Sequence, residues 1–381
     1  MMIVCNSADN SSEENAMTKK FSYSGPFPVD LRSDTVTRPT PEMRRAMAEA
    51  EVGDDVHRED PTVRRLEEMA AGLMGKEAAL FVPSGTMGNQ IAIKIYTRHG
   101  QEVICDSRSH IFNFEMGMMA AFAGCQAFPI PTEDGLPAWE QVSQSLRPRD
   151  YDYSRNRLIV LENTHNMAGG RAYPPQRLQE FCDQAHSHGL VVHLDGARIF
   201  NAAACLQCAV KEIAAPFDSV MFCLSKGLGA PVGSILAGSS GFIEEALRVR
   251  KMLGGGMRQA GVLAAAGLVA LEKHPPKLFA DHRNARSLAE TVSRIPGVLI
   301  NLATVQTNIV IFDLSEMGVP AKDFAEESKQ HSVLLDPLDD HRVRMVTHLD
   351  VDENACAYAG HVITALADEW NARKQKSGPT P

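Results

Sequence analysis

From residue 78 onward, short apolar runs alternate with helix-period segments: Ala78 to Val82, Val103 to Cys105, Leu158 to Leu161, Leu190 to Leu194, Val220 to Leu224 and Ser234 to Ala237. Runs without polar alternation must be covered on both faces. A sheet built from strand–helix repeats and covered in that way is mostly parallel. The expectation is an α/β fold whose polar chemistry gathers beyond the carboxyl ends of the strands, where open α/β sheets bind ligands. The residues following the runs agree. Ala78 to Val82 leads into Pro83-Ser84-Gly85-Thr86, and Leu158 to Leu161 into Glu162-Asn163-Thr164-His165-Asn166. Leu190 to Leu194 leads into Asp195-Gly196-Ala197-Arg198, and Val220 to Leu224 into Ser225-Lys226-Gly227-Leu228-Gly229.

Around this repeat the chain divides into five stretches. Residues 1–25 are rich in Ser, Asn and acidic groups and are expected to be a disordered extension. Residues 26–53 form an N-terminal segment, 54–275 the large domain, 276–372 a smaller C-terminal domain, and 373–381 a frayed tail. Two helix starts are legible. Thr40-Pro41-Glu42 and Asp60-Pro61 each offer a capping side chain followed by proline at the first helical position, and the second helix is stopped by Gly75. The formal net charge of −9 lacks the basic stripe of a nucleic-acid surface. No run of 18 apolar residues suggests a membrane span. Eight scattered cysteines in 381 residues suggest a reducing compartment, and residues 1–25, without arginine and with Asp9, Glu13 and Glu14, make a poor transit peptide, so the cytoplasm is expected rather than the mitochondrion. Cys205-Leu206-Gln207-Cys208 has the spacing of a zinc or redox half-site, but no second pair accompanies it, so a structural role is expected and no metal.

Lys226, between an apolar strand and a glycine-rich turn, is a candidate for an amine made nucleophilic by partial desolvation. Alone it means little; its company carries the argument. Asp195, at the end of another strand, is the group a pyridine nitrogen needs beside it to stay protonated and serve as an electron sink. Ser84-Gly85-Thr86 opens a helix whose free amides and hydroxyls form an anion site, although in isolation the triplet reads better as a simple cap. Neither a Gly-Lys-Ser/Thr loop nor a Gly-x-Gly-x-x-Gly fingerprint is present, which argues against a nucleotide site. Gly254-Gly255-Gly256-Met257-Arg258-Gln259 is either a flexible link or, through Arg258, a second phosphate ligand. Together the set describes a site for pyridoxal 5'-phosphate.

These residues also carry a family resemblance. Asp30-Leu31-Arg32-Ser33-Asp34-Thr35-Val36-Thr37, Val52 to Val56, Pro83 to Asn89, Glu162 to Asn166, Asp195 to Asn201, Leu224 to Leu228, Gly254 to Gln259 and Arg344 to His348 stand in the order found in the low-specificity L-threonine aldolases. The chain resembles that family from about Asp30 to Asp350. The resemblance implies an aspartate-aminotransferase-like fold (fold type I), with a mostly parallel seven-stranded sheet in the large domain and a smaller α+β C-terminal domain. It implies Lys226 as the Schiff-base lysine, Asp195 as partner of the pyridine nitrogen, and Ser84, Gly85 and Thr86 as the phosphate cradle with Arg258 close by. His110 matches the histidine stacked on the cofactor ring; Ser33, Arg198 and Arg344 match the holders of the substrate carboxylate. One departure is visible: after Asp54-Asp55-Val56 the family commonly has Tyr-Gly, where this chain has His57-Arg58.

The implied reaction is the retro-aldol cleavage of L-threonine or L-allo-threonine to glycine and acetaldehyde, by a carbon–carbon lyase of threonine breakdown and glycine formation. With His110 engaged in stacking, His165 is the expected base for the β-hydroxyl proton. Another β-hydroxy amino acid aldolase or a β-eliminating lyase would share Lys226 and Asp195. A non-catalytic cofactor-binding protein is disfavoured by the complete set. Relatives imply a homotetramer, a dimer of dimers with sites at the dimer interface.

Overall fold

The computed structural model describes residues 25–377, so the expected extension lies outside the described residues except for Gly25. The described chain opens with a two-residue strand, β1 (Val29–Asp30). Two helices follow, both begun as expected. In α1 (Pro41–Ala48) the Thr40 hydroxyl accepts from the Met43 amide. In α2 (Pro61–Met74) the Asp60 carboxylate accepts from Thr62 and Val63, and Gly75 closes the helix at a φ of 63°.

Seven strands make the central sheet: β2 (Ala78–Val82), β3 (Glu102–Asp106), β4 (Gln126–Ile130), β5 (Asn156–Glu162), β6 (Val191–Asp195), β7 (Ser219–Cys223) and β8 (Ser234–Gly238). Their spatial order is β2-β8-β7-β6-β5-β3-β4. Only β8 is reversed; it pairs antiparallel with β2 and β7, while the other pairs are parallel. Six of the strands coincide with the apolar runs. The seventh, β4, carries Pro129 and is largely half-exposed, which an edge strand tolerates because its outer amides need no partner. Helix α3 (Gly85–Tyr96) follows β2 directly.

A second apolar core packs Leu288, Phe312, Phe324, Met345 and Ile363 with Val29 and Leu31 from the start of the chain. Its sheet is β9 (Ile309–Asp313), β11 (Asp336–Pro337) and β12 (Arg342–Val346), antiparallel in the order β11-β12-β9. Beside it β1 runs parallel to β10 (Val333–Leu334), and the Val346 amide donates to the Leu31 carbonyl at 2.8 Å. The N-terminal segment therefore completes the C-terminal core. The frayed tail expected from Arg373 is corrected: the last helix runs Glu353–Ser377, because Arg373 pairs with Glu327 at 2.9 Å and Lys374 donates to the Glu316 carbonyl. Among the described residues no helix is long and apolar enough to cross a membrane. Cys205 and Cys208, near the end of the helix Ile199–Leu206, are free, as are the other described cysteines.

Candidate active site

The strand ends converge on one cavity of about 330 Å³, lined among others by Ser84, Gly85, Thr86, His110, Asp195 and Lys226. Each arrives from a different element. The turn after β2 brings Ser84 to Thr86, β6 ends on Asp195, and β7 hands the chain to Ser225 and Lys226. At the start of α3 the Ser84 hydroxyl takes the Met87 amide at 3.2 Å. The amides of Gly85 and Thr86 belong to the first turn, where no preceding helical carbonyl exists to accept them. They and the positive end of the helix dipole form the anion-attracting wall of the cavity. Glycine at 85 lets α3 lie close on β7: a Cβ there would lie 3.0 Å from Cys223 Sγ and 3.2 Å from Met221 Cε, a tight fit that those side chains would have to relieve.

The Asp195 carboxylate is fixed before any ligand enters. Asn89 Nδ2 donates to Oδ2 at 2.8 Å and the Ala197 amide donates to Oδ1 at 3.1 Å. His110 begins a short helix, His110–Asn113, with its amide donating to Glu162 Oε2 at 2.8 Å and its Nδ1 2.9 Å from Glu115 Oε1. Glu115 also receives Asn89 and Gln90 side-chain amides and so acts as acceptor, which makes Nδ1 the donor and leaves Nε2 as the basic nitrogen. Burial lowers the His110 pKa, but the Glu115 hydrogen bond and the negative charges of Asp195 and Glu115 outweigh it and raise it.

Beside Thr35, which lines the cavity, stands a pair of arginines. Arg198 is buried and grips the fully buried Asp34 with two bonds, Nε to Oδ2 at 2.7 Å and Nη2 to Oδ1 at 2.8 Å. Burial raises the Asp34 pKa, but the Arg198 charge and hydrogen bonds prevail, with help from Lys226, and hold it at about 2. Arg344, on β12, donates Nη1 to Asn166 Oδ1 at 2.8 Å and places Nη2 2.7 Å from Asp336 Oδ2. Its Nε is buried without a partner. Burial and the neighbouring Arg198 charge both lower the Arg344 pKa. Two guanidinium groups acting on each other make a place where a carboxylate is welcome. Ser33 caps the turn in front of them, its hydroxyl accepting from the Thr35 amide at 3.2 Å.

Five expected residues do not line the cavity: Ser33, Arg198 and Arg344 of the corner just described, and His165 and Arg258. His165 is completely buried, with Nδ1 accepting from the Ala168 amide at 3.2 Å and Nε2 3.1 Å from Asp106 Oδ1; the ring lies against Gly135, and it does not line the cavity wall. Arg258 is exposed and pairs with Asp54 at 2.8 Å, also away from the cavity lining. The His57-Arg58 departure has a backbone correlate: Arg58 adopts the left-handed conformation, φ 61°, that glycine takes without strain. Sequence reasoning missed Asp34, Asn89, Glu115 and His193. The available signal was polarity out of place: His193 interrupts the otherwise apolar run Leu190 to Leu194, and Asn89 lies on the buried face of α3.

Comparison with known proteins agrees with this geometry. A family model described as beta-eliminating lyase matches residues 30–315. Low-specificity L-threonine aldolase 1 of Arabidopsis thaliana is 45% identical over 335 residues, which is 87% of this chain and 94% of that protein. The low specificity L-threonine aldolase of Escherichia coli (strain K12) is 43% identical, covering 90% of this chain and 98% of that protein. Among solved structures, Leishmania major threonine aldolase superposes with a TM-score of 0.77 at 20% identity, covering 89% of this chain and 100% of that one, a likeness of fold. With its seven-stranded sheet and the cavity at its strand ends, this chain belongs to the β-eliminating lyase family, among the low-specificity threonine aldolases of fold type I.

Proposed function

We propose that this protein cleaves L-threonine and L-allo-threonine by a retro-aldol reaction to glycine and acetaldehyde, with pyridoxal 5'-phosphate as cofactor. The observation that carries the reading is the meeting of an amine, a carboxylate and a helix start on one cavity: Lys226, Asp195 and Ser84 to Thr86. That donor set fits the cofactor's aldehyde, ring nitrogen and phosphate respectively. When bound, the cofactor supplies an electron sink for the electrons of the breaking Cα–Cβ bond.

The chain's own residues do the rest. Lys226 offers the amine that holds the aldehyde carbon, and Asp195, acceptor-only and fixed by two donors, offers its charge to the ring nitrogen. Ser33, Arg198 and Arg344 take the substrate carboxylate, the free Arg344 Nε being the donor best suited to it. Holding the carboxylate there would fix which bond at Cα is presented to the cofactor's electron sink, and so which bond breaks. For the hydroxyl proton we favour His110 over His165, because His110 lines the cavity and has Nε2 available. Its raised pKa suits it to hold that proton and return it. Arg258 reaches a phosphate only by leaving Asp54.

The assembly we favour is a homotetramer. It is supported by the exposed apolar side chains Phe112, Phe114 and Met116, of which Phe114 has its ring centroid 5.6 Å from that of the cavity-lining His110. The unpaired thiols suit a reducing compartment, for which we favour the cytoplasm. The test is to supply L-threonine, L-allo-threonine and L-serine to the holoenzyme and follow acetaldehyde and glycine. Equimolar products from either threonine isomer are expected, with Lys226→Ala abolishing them; a holoenzyme that yields no acetaldehyde overturns the reading.

A further inference from the structure

The Asp195 carboxylate is the near end of a buried chain of hydrogen bonds that links α3 to β6 and β7. Asn89, Glu115, His193 and Ser219 are all fully buried, and Asp195 nearly so. Asn89 Nδ2 donates at 2.8 Å to Asp195 Oδ2 and at 2.8 Å to Glu115 Oε1, one hydrogen to each. Its Oδ1 lies 3.1 Å from His193 Nε2, and His193 Nδ1 lies 2.8 Å from the Ser219 hydroxyl.

These contacts admit one arrangement of protons. The two carboxylates fix which end of the Asn89 amide is the nitrogen, since turning the amide over would set its oxygen against both. Oδ1 must then accept, so His193 carries its proton on Nε2. Burial pushes His193 down to about 4 against the opposing influence of Asp195, Ser219 and Asp218, so the ring is neutral and Nδ1 accepts from Ser219. The chain reads, donor to acceptor, Ser219 to His193 to Asn89, and from Asn89 to both Asp195 and Glu115.

The arrangement answers a physical difficulty. The ligand atoms of His110, Glu115 and Asp195 all lie within 4.8 Å of one another, so two buried carboxylates crowd one place and would push each other out of position. One amide between them gives each a donor.

Resting on the cofactor reading above, we infer that Asn89, oriented by His193 and Ser219, is a positioning residue that sets two groups at once, Asp195 toward the cofactor's ring nitrogen and Glu115 against His110. Neither Asn89 nor His193 touches the reacting atoms. Each acts through a carboxylate, and His193 acts through Asn89. The loss should therefore appear in kcat and in the cofactor's orientation, while the arginine-held substrate carboxylate leaves KM for threonine little changed.

The decisive pair is His193→Leu and His193→Gln. Leucine removes the Nε2–H donor; glutamine restores an N–H at nearly the same place. In the holoenzymes, His193→Leu is expected to lower kcat on the order of tenfold or more and to weaken the visible circular dichroism of bound pyridoxal phosphate, with His193→Gln recovering most of both. Asn89→Ala should give the larger loss, and the affinity for pyridoxal phosphate, measured by fluorescence titration, should fall with it; if that variant does not fold, the His193 pair decides. A merely structural role would lower the melting temperature of His193→Leu and leave its dichroism and kcat within about twofold of wild type, and that result overturns the relay. Equal loss in the leucine and glutamine variants overturns it as well. A wild-type protein that takes up no pyridoxal phosphate, or a Lys226→Ala variant that keeps the visible absorption, overturns the cofactor reading and the relay with it; intact uptake through Lys226 with unaffected relay variants removes the relay alone.

Discussion

Replacing Asp34 by Asn is the sharpest test of how the carboxylate-binding corner is held. The substitution keeps the shape, removes one charge from a fully buried pair, and leaves one acceptor oxygen for two guanidinium donors. Two routes to the magnitude agree. Depression of the Asp34 pKa from 3.8 to about 2 corresponds to ~2.4 kcal/mol. Breaking a buried ion pair by removing one partner costs about 3–5 kcal/mol. A loss near 3 kcal/mol is expected, and with an unfolding entropy of about 0.8 kcal/mol/K for 381 residues it lowers the melting temperature by about 4 °C. Because the folded pKa is depressed, the pair's contribution is complete above the unfolded value of 3.8 and fades only as pH falls through about 2. The gap between wild type and variant should thus be fully open at pH 5 and narrow toward pH 8, because Asp281, whose pKa the Asp34 charge helps to raise, ionises at less cost in the variant. Scanning calorimetry across that range measures it, and the KM for L-threonine should rise on the order of tenfold as Arg198 loses its orientation. A change in melting temperature below about 1 °C at pH 5, or a gap that widens toward pH 8, would refute the argument.

Three further outcomes follow from the geometry. His165→Asn should cost about 2–3 kcal/mol in thermal or urea unfolding, by disturbing the buried approach to Asp106 and the bond from the Ala168 amide, yet keep turnover per folded site within about threefold; a collapse of turnover with intact cofactor binding would return the base to His165. Burial and the nearby Asp34 charge raise the Asp281 pKa to about 7, and its Oδ2 has no hydrogen-bond partner. A raised folded pKa favours the fold at low pH and loses that favour as pH climbs through it, so Asp281→Asn should gain stability over wild type progressively from pH 6 to 8 in paired thermal melts. Arg58→Gly should stabilise by about 0.5–1 kcal/mol, since Arg58 holds φ 61° and its contact with Glu67 is 3.9 Å long; unchanged or lower denaturant midpoints would contradict the backbone argument.

The parts of this molecule that were legible in its sequence are those decided locally. Apolar runs buried on both faces gave away β2, β3, β5, β6, β7 and β8, whereas β4 was hidden by its edge position and Pro129. Lys226, Asp195 and Ser84 to Thr86 could be read because each follows directly from a strand and each residue type suits one part of the same cofactor. Asp34 and Asn89 could not, because their partners lie 164 and 106 residues away, and a contact of that span leaves no local pattern. His165 shows the opposite failure. It follows a strand as Lys226 does, but position alone does not say which way a side chain turns, and this one turns into the protein against Asp106.

The pairing of β1 with β10 has a consequence for how the chain is made. Val29 meets Val333 across some 300 residues of sequence, so at roughly 5–20 residues per second the first strand waits on the order of 15–60 s for its partner to leave the ribosome. During that interval every strand of the large sheet has been synthesised and can assemble, while Val29 and Leu31, fully covered in the finished fold, have nothing to cover them. The nascent chain thus carries an apolar, unpaired leading edge through most of its own translation. Stalled or truncated products that end before Val333 keep that edge permanently, which marks them for chaperone capture and degradation.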